Sequence, residues 1–415
     1  MEKAAALDPE FALAHARIGY AYAVTWGYVD KGKPYLTRAF ALSDRLTEKD
    51  RLNIAAWYAI ANLDYENAIQ RFREIIEKYP LDSEAYWRLG RLLAGEERRD
   101  EALSVLRQGL AVDPENKNLY NSLGGLLSVM GKHDEAIAAH QRYVALAPNE
   151  TNAYDSLGLS YLWAGDYAAA IENYNRALEI NPNFEIALIH LANARFHLGQ
   201  YREAAGLYRR YISVAPADAE RERGYKGIFN IRMRMRDFAG AERSVAKIRA
   251  VNGEVIWEAL TLAHARGDAA RATELETRLL ALNQRHNRGA RLTGRFEFYR
   301  RGTIALKNNR ADEAIENFKE ALRRQSPIWD IDSLEDCLAK AFIELKRFDE
   351  AKAELERILA LNPNYPLARF HLAQVFERSS QPAAARENYR LFLETWKNAD
   401  ADIPEIISAR NFLSH

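Results

Sequence analysis

A 34-residue pattern returns along almost the whole chain, and it constrains the fold more than any other feature. Residues 151–184 read TNAYDSLGLSYLWAGDYAAAIENYNRALEINPNF. With Thr151 as position 1, the marked residues are Tyr154 (4), Leu157 (7), Gly158 (8), Tyr161 (11), Gly165 (15), Ala170 (20), Tyr174 (24), Ala177 (27) and Pro182 (32). One step back lie Tyr120, Leu123, Gly124, Leu127, Gly131, Ala136, His140 and Pro148. A second step back gives Tyr86, Leu89, Gly90, Leu93, Ala102, Leu106 and Pro114. Position 20 is alanine in ten units: Ala68, Ala102, Ala136, Ala170, Ala204, Ala241, Ala272, Ala314, Ala351 and Ala385. Eleven units begin near Ala12, Lys49, Ser83, Lys117, Thr151, Glu185, Glu222, Glu254, Arg295, Asp332 and Pro366.

Positions 4, 7, 8 and 11 share one face of a first helix, and positions 20, 24 and 27 one face of a second. Small residues at 8 and 20 let the two backbones approach closely. Glycine at 15 supplies the left-handed residue that ends the first helix, and proline at 32 stops the second. A hairpin of this size cannot bury its own stripe, so it stacks on its neighbours. The seven-residue period of a coiled coil is absent.

The 415 residues carry 58 Lys+Arg against 58 Asp+Glu, with 48% apolar and 28% charged residues. That excludes a disordered chain, and the zero sum gives no warrant for bulk attraction to DNA or an acidic membrane. A single cysteine, Cys337, excludes a disulfide framework and a CxxC metal or redox site. The opening MEKAAALDPEF has no basic stretch ahead of an apolar core, and no run reaches the roughly eighteen apolar residues of a membrane helix. The expectation for the chain as it stands is a soluble, cytoplasmic protein with no membrane insertion.

These repeats resemble the tetratricopeptide repeat (TPR) family over nearly the whole chain. The resemblance implies an all-α, right-handed superhelical solenoid of about eleven helix-turn-helix hairpins. A capping helix is expected where Asp402-Ile403-Pro404-Glu405 opens a segment carrying Ile406, Ile407, Phe412 and Leu413. In the family, positions 2, 5, 9, 12 and 13 of the first helix point into the concave groove. Here they include Tyr20, Asn53, Trp57, Trp87, Arg91, Asn118, Asn121, Asn152, Asp155, Trp163, Ile186, Ile189, Asn193 and Phe196, with Phe296, Tyr299, Lys340 and Phe370 in the last units. Trp57, Trp87 and Trp163 suit aromatic anchors, and Asn118, Asn121, Asn152 and Asn193 suit hydrogen bonds to a peptide backbone. The expected role is a non-enzymatic protein-interaction scaffold that holds an extended peptide or helix of a protein partner in this groove. Neither a cofactor nor a metal is expected. The basic and asparagine clamp with which some relatives grip a chaperone C-terminus is not matched.

The register breaks between Ala219 and Gly294. Three residues are inserted around Ala219 to Arg221, the unit at Glu254 is one residue short, and Gln284 to Gly294 adds about eleven more. The break divides the chain into an N-terminal array (1–221), degenerate basic units with the insertion (222–294) and a C-terminal array (295–415). It marks either a seam in the solenoid or an ordinary lengthened helix pair. Residues 221–310 carry 20 basic and 9 acidic residues, a net of +11, against −11 elsewhere. Arg232, Arg234, Arg236, Arg288, Arg291, Arg295, Arg300 and Arg301 form a candidate basic patch for an acidic partner. Nucleic-acid binding is the weaker reading, because few aromatic residues interleave with these arginines.

No HExxH, phosphate-loop or GxSxG pattern occurs. His190 and His197 read as exposed or groove-facing. Arg236-Asp237-Phe238-Ala239-Gly240 superficially matches a kinase metal-binding segment, but Asp237 and Phe238 occupy repeat positions 16 and 17. Cys337 reads as a structural or surface thiol. In the first unit WGYVDKGKP reads as a stretched loop, and Thr47-Glu48-Lys49-Asp50 resembles a capping box with Asp in place of Glu. Phe40–Ala59, Phe72–Leu93 and Tyr389–Ile406 resemble repeat regions that follow the catalytic domain of bacterial eukaryotic-like serine/threonine kinases; similar arrays follow winged-helix domains. That resemblance implies a sensory or regulatory module as the alternative function. EKAAALDP at residues 2–9 reads as the tail of a second helix whose partner is missing, as in a fragment of a longer protein. In a fragment of a membrane-anchored receptor kinase the array would be extracytoplasmic.

Overall fold

The computed structural model describes residues 1–25, 27–286, 294–324 and 334–415. Among them all regular structure is helical, and eleven helix pairs follow one another. The first helices begin at Ala12, Glu48, Ser83, Lys117, Thr151, Glu185, Asp218, Trp257, Arg295, Cys337 and Pro366, each within five residues of a repeat start. A second helix follows each, from Val29–Ala41 in the first pair to Pro382–Thr395 in the last. The chain forms two compact units: residues 1–127 with 138–147, and residues 128–137 with 148–415.

The turn inside each pair fixes the register. Position 15 has positive φ in nine units, and in the shortened unit Gly267 takes its place one residue early. Only Gly131, Gly165, Gly199 and Gly267 are glycines there; Leu63, Glu97, Arg236, Asn309, Lys346 and Ser380 hold the same turn at φ between 55° and 60°. A left-handed non-glycine residue costs roughly 1–2 kcal/mol, part of which glycine returns through its greater unfolded-state entropy, about 0.5–1 kcal/mol. Leu63→Gly and Lys346→Gly, both at exposed positions, are therefore expected to stabilise the protein by about 0.5–1 kcal/mol each. Urea unfolding checks this, and a loss of stability at both sites would contradict it.

Close helix approach follows from the small residues. A Cβ on Gly158 would stand 2.6 Å from Tyr174, and one on Gly302 2.7 Å from Phe318, in each case the position-24 ring of the same pair. The ten position-20 alanines are buried, nine of them with no exposed surface.

Local departures have local causes. From Val29 onward the stretched segment of the first pair is helix rather than loop: Val29–Ala41 begins inside it and contains Pro34. Gly32 permits this, since its Cα packs where a Cβ would lie 2.6 Å from Ala23. Thr47 caps its helix by accepting from the Asp50 backbone N–H at 3.2 Å, but the shorter Asp50 side chain meets the Thr47 hydroxyl (2.6 Å). The described part of the inserted residues lengthens helices: Asp218–Arg234 has 17 residues and Ala269–His286 has 18, against 13 and 14 in the pair Thr151–Trp163 and Tyr167–Ile180. The capping helix spans Pro404–Leu413 with Ile406 buried and Phe412 against Tyr389 at 5.0 Å. Ile407, expected on its apolar side, is 46% exposed.

The larger unit also returns on itself. Its last two pairs and the link to the capping helix pack against the turns of the pairs at Thr151 and Glu185. Asn362, with no exposed surface, donates to the Tyr167 hydroxyl at 3.1 Å, and Asn364 to the Gly165 carbonyl at 3.0 Å. The Trp396 indole donates to the His197 carbonyl at 2.9 Å, and the Asp400 amide to the Gly199 carbonyl at 3.0 Å. Arg202 reaches Asp402 at 2.8 Å. Gly165 and Gly199 combine a required positive φ with no room for a side chain: a Cβ would meet Asn362 at 2.2 Å and Ala399 at 2.8 Å.

Candidate functional site

Two recesses form where first helices turn their groove positions inward, one in each unit. In the smaller unit Tyr20, Trp57, Trp87 and Arg91 meet around a recess of about 190 Å³. Position 9 supplies Tyr20, Trp57 and Arg91, and position 5 supplies Trp87. The Tyr20 and Trp57 rings are 4.7 Å apart. Arg88 lies with its guanidinium 4.4 Å from the Tyr20 ring centre and 4.9 Å from that of Trp57, and Arg91 lies 5.2 Å from Trp87. Contacts of this kind contribute about 0.5–2 kcal/mol, the most where water is excluded.

The hydrogen-bond inventory of this recess is incomplete. Trp87 donates to Ser122 at 2.9 Å, and Arg88 pairs with Glu84 at 2.5 Å. The Trp57 Nε1–H and the Arg88 Nη1 have no acceptor among the described residues, although the two side chains sit in residues only 5% and 8% exposed. A buried donor left unsatisfied costs roughly 1–3 kcal/mol. Both atoms are covered, so the shortage of acceptor oxygens lies in the wall of the recess.

In the larger unit a chamber of about 290 Å³ is lined by Phe196, Lys226, Asn230, Met233, Arg234, Phe296, Tyr299 and Lys340, all at positions 2, 5, 9, 12 or 13. Trp257, Glu258 and Arg300 also form part of its wall, with Phe229 and Thr261. Lys226 pairs with Glu222 at 2.7 Å and Glu258 at 3.3 Å, Lys340 with Asp336 at 2.7 Å, and Arg234 with Glu405 at 3.9 Å. Burial pushes the Lys340 pKa down; Asp336 opposes this and Arg234 adds to it. Behind Lys340, burial lowers His371 to about 4, against the pull of Asp336 3.9 Å away.

Several expected groove residues serve the fold. Asn53 donates to its own helix at Lys49, Asn193 accepts from Tyr208 at 2.7 Å, and Asn152 lies 3.5 Å from Ser156. Asn118 is exposed, and Asn121, Trp163 and Ile189 are half-buried. Ile186 is exposed and Phe370 is in the core. Asp155, expected to face the groove, is buried with His190 at 2.9 Å. Burial lowers the His190 pKa, but Asp155 outweighs it and the net shift is upward. His197, read as exposed or groove-facing, is buried against Tyr167. Cys337 is buried, and burial pushes its thiol pKa well up.

The basic candidates do not share one surface. Arg234 and Arg300 line the chamber. Arg232 pairs with Asp237 and Arg301 with Glu297, while Arg236 is exposed at a left-handed turn. Arg295, expected on the surface, is 6% exposed and pairs with Glu335 at 2.7 Å, because the segment carrying Glu335, forty residues on, packs over it. Arg288 and Arg291 lie outside the described residues.

Two residues of the recesses carry no groove signal when the repeat is counted from its starts. Arg88 sits at position 6, which has no groove role in the repeat. Trp257 falls at a core position when the shortened unit is counted from Glu254. Counted back from its left-handed Gly267, it moves to groove position 5, and that slip was the available signal. No group of three or more His, Cys, Asp or Glu residues among the described residues could hold a metal ion. No helix among them is long and apolar enough to cross a membrane.

Paired helices with a left-handed residue at 15 and small residues at 8 and 20 define a helical-hairpin repeat protein. Sequence profiles described as tetratricopeptide repeat match residues 59–124, 93–158, 153–184, 187–217, 298–326 and 333–375, together more than half of the chain. The chain belongs to the tetratricopeptide repeat family. No curated protein matches the sequence significantly. Among solved structures, the APC/C hetero-tetramer Cut9–Hcn1 aligns over 96% of this chain and 74% of that one, at 15% identity and TM-score 0.49. A tetratricopeptide repeat protein from Parabacteroides merdae aligns over 71% and 98%, at 16% identity and TM-score 0.47. A thermophilic TPR protein from Thermus thermophilus aligns over 45% and 99%, at 21% identity and TM-score 0.39. The repeats support a protein-interaction scaffold as the general role.

Proposed function

We propose that the recess of the smaller unit docks an extended peptide from a protein partner, with an acidic side chain next to an apolar one. The carrying observation is the pair of buried donors without acceptors, Trp57 Nε1–H and Arg88 Nη1, set in an aromatic wall. Both donors are covered before a ligand binds, so a carboxylate satisfies them as the Arg88 side chain turns into the recess, where the carboxylate also meets Arg91. The apolar neighbour would lie on Tyr20, Trp57 and Trp87, the side-chain types that dominate binding hot spots.

Selection from a displayed library of random peptides tests this reading. The enriched sequences are expected to place Asp or Glu beside Leu, Ile or Phe. Joint Arg88→Met and Arg91→Met substitution, which keeps the side-chain volume, is expected to weaken the selected peptide at least about 100-fold, since truncated hot spots cost 2 kcal/mol or more each. Trp57→Ala with Trp87→Ala is expected to abolish capture. Enrichment without acidic residues, or full affinity in the arginine variant, would contradict the proposal.

A further inference from the structure

The chamber of the larger unit has a different chemistry from the peptide recess. Four cationic side chains line it, Lys226, Arg234, Arg300 and Lys340, against one carboxylate, Glu258. The other acids that pair with these cations, Glu222, Asp336 and Glu405, do not reach its wall. Arg300 is distinctive. Its guanidinium lies 5.4 Å from the Trp257 ring centre, and it has no hydrogen bond or ion pair among the described residues. Trp257 in turn meets Tyr299 edge-on at 5.8 Å. An aromatic corner therefore stands beside a guanidinium whose donors are unused, and Lys340 lines the same cavity.

Size narrows the ligand. At about 290 Å³ the chamber lies at the lower end of small-molecule pockets. It suits a molecule of one or two fused rings. The closure between the last pairs and the turns at Gly165 and Gly199 bounds the array that carries it.

We propose that this chamber is a second binding site, for a small anionic molecule with a planar ring. The ring packs on Trp257 and Tyr299, and the carboxylate or phosphate is held by Arg300 and Lys340. A guanidinium offers a fork of donors that matches either group, and displacing water from the chamber strengthens the attraction. The site is separate from the peptide recess, and its success or failure does not depend on that reading.

Calorimetric titration of the full chain with three probes tests the proposal: 1-naphthoate, 1-naphthyl phosphate and neutral 1-naphthylmethanol. At least one anion is expected to bind with a dissociation constant below about 1 mM, and the neutral alcohol at least tenfold more weakly. The better anion tells carboxylate from phosphate ligands. Arg300→Gln and Lys340→Met are each expected to weaken the anion about tenfold, with Arg300→Lys intermediate and melting temperatures confirming that the variants fold. Trp57→Ala with Trp87→Ala should leave this binding unchanged. Equal affinity for the alcohol, undiminished binding in both Arg300→Gln and Lys340→Met, or no heat from either anion at millimolar concentration would overturn the proposal.

Discussion

Glu335→Ala is expected to destabilise the larger unit by about 3–5 kcal/mol, the usual cost of removing one partner of a buried ion pair. Arg295 Nη2 lies 2.7 Å from Glu335 Oε1, and the two side chains are only 6% and 3% exposed. Without the carboxylate the guanidinium stays buried with its charge uncompensated, and its Nε and Nη1 already lack acceptors among the described residues. The cost comes from the stranded charge rather than from a strong net attraction. Joint Arg295→Met and Glu335→Leu substitution is therefore expected to lie within about 1 kcal/mol of the parent or above it, because replacing a buried pair by apolar side chains is often neutral or stabilising. Urea unfolding of the two single variants and the double variant gives the coupling directly. A single-variant loss below about 1 kcal/mol would mean that the pair is hydrated.

Trp396→Ala is the second large effect, about 3–5 kcal/mol. Trp396 is 3% exposed, packs against Phe392 with ring centres 5.0 Å apart, and donates to the His197 carbonyl at 2.9 Å. Truncation leaves a cavity and frees that carbonyl at the closure of the larger unit. The loss should be local as well as global. The Asp400 and Arg202 amides, bonded to the Gly199 carbonyl and the Asp400 carboxylate, are expected to exchange with solvent much faster. Protection in the helix Ser83–Gly95 of the other unit should not change. Equal loss of protection in that helix would contradict a local closure.

The repeat made most of this fold legible. Glycine or alanine at positions 8 and 20 predicts close packing from 34 residues alone, and the structure reproduces it at Gly158 and Ala170. Six turns that lack glycine at position 15 were legible only through the register around them. The groove positions were legible from the family resemblance, and they line both recesses. Three things were not. A one-residue slip rotated Trp257 by about 100° around its helix. Arg295 looked like one more arginine of a basic block, because burial is set by neighbours distant in sequence. The closure joins residues 195 to 200 positions apart, such as Tyr167 with Asn362 and Arg202 with Asp402, and no short-period pattern encodes such a contact.

The Trp57 indole reports most directly on whether the first-helix recess is the proposed peptide site. In protein labelled with ¹⁵N-tryptophan, the Trp57 Nε1–H signal is assigned by its absence in Trp57→Phe. Titration with an acidic–apolar peptide from the selection is expected to shift that signal strongly downfield, as the indole gains a carboxylate acceptor, with a smaller change at Trp87. A peptide that binds while the Trp57 indole signal stays where it was would contradict the account.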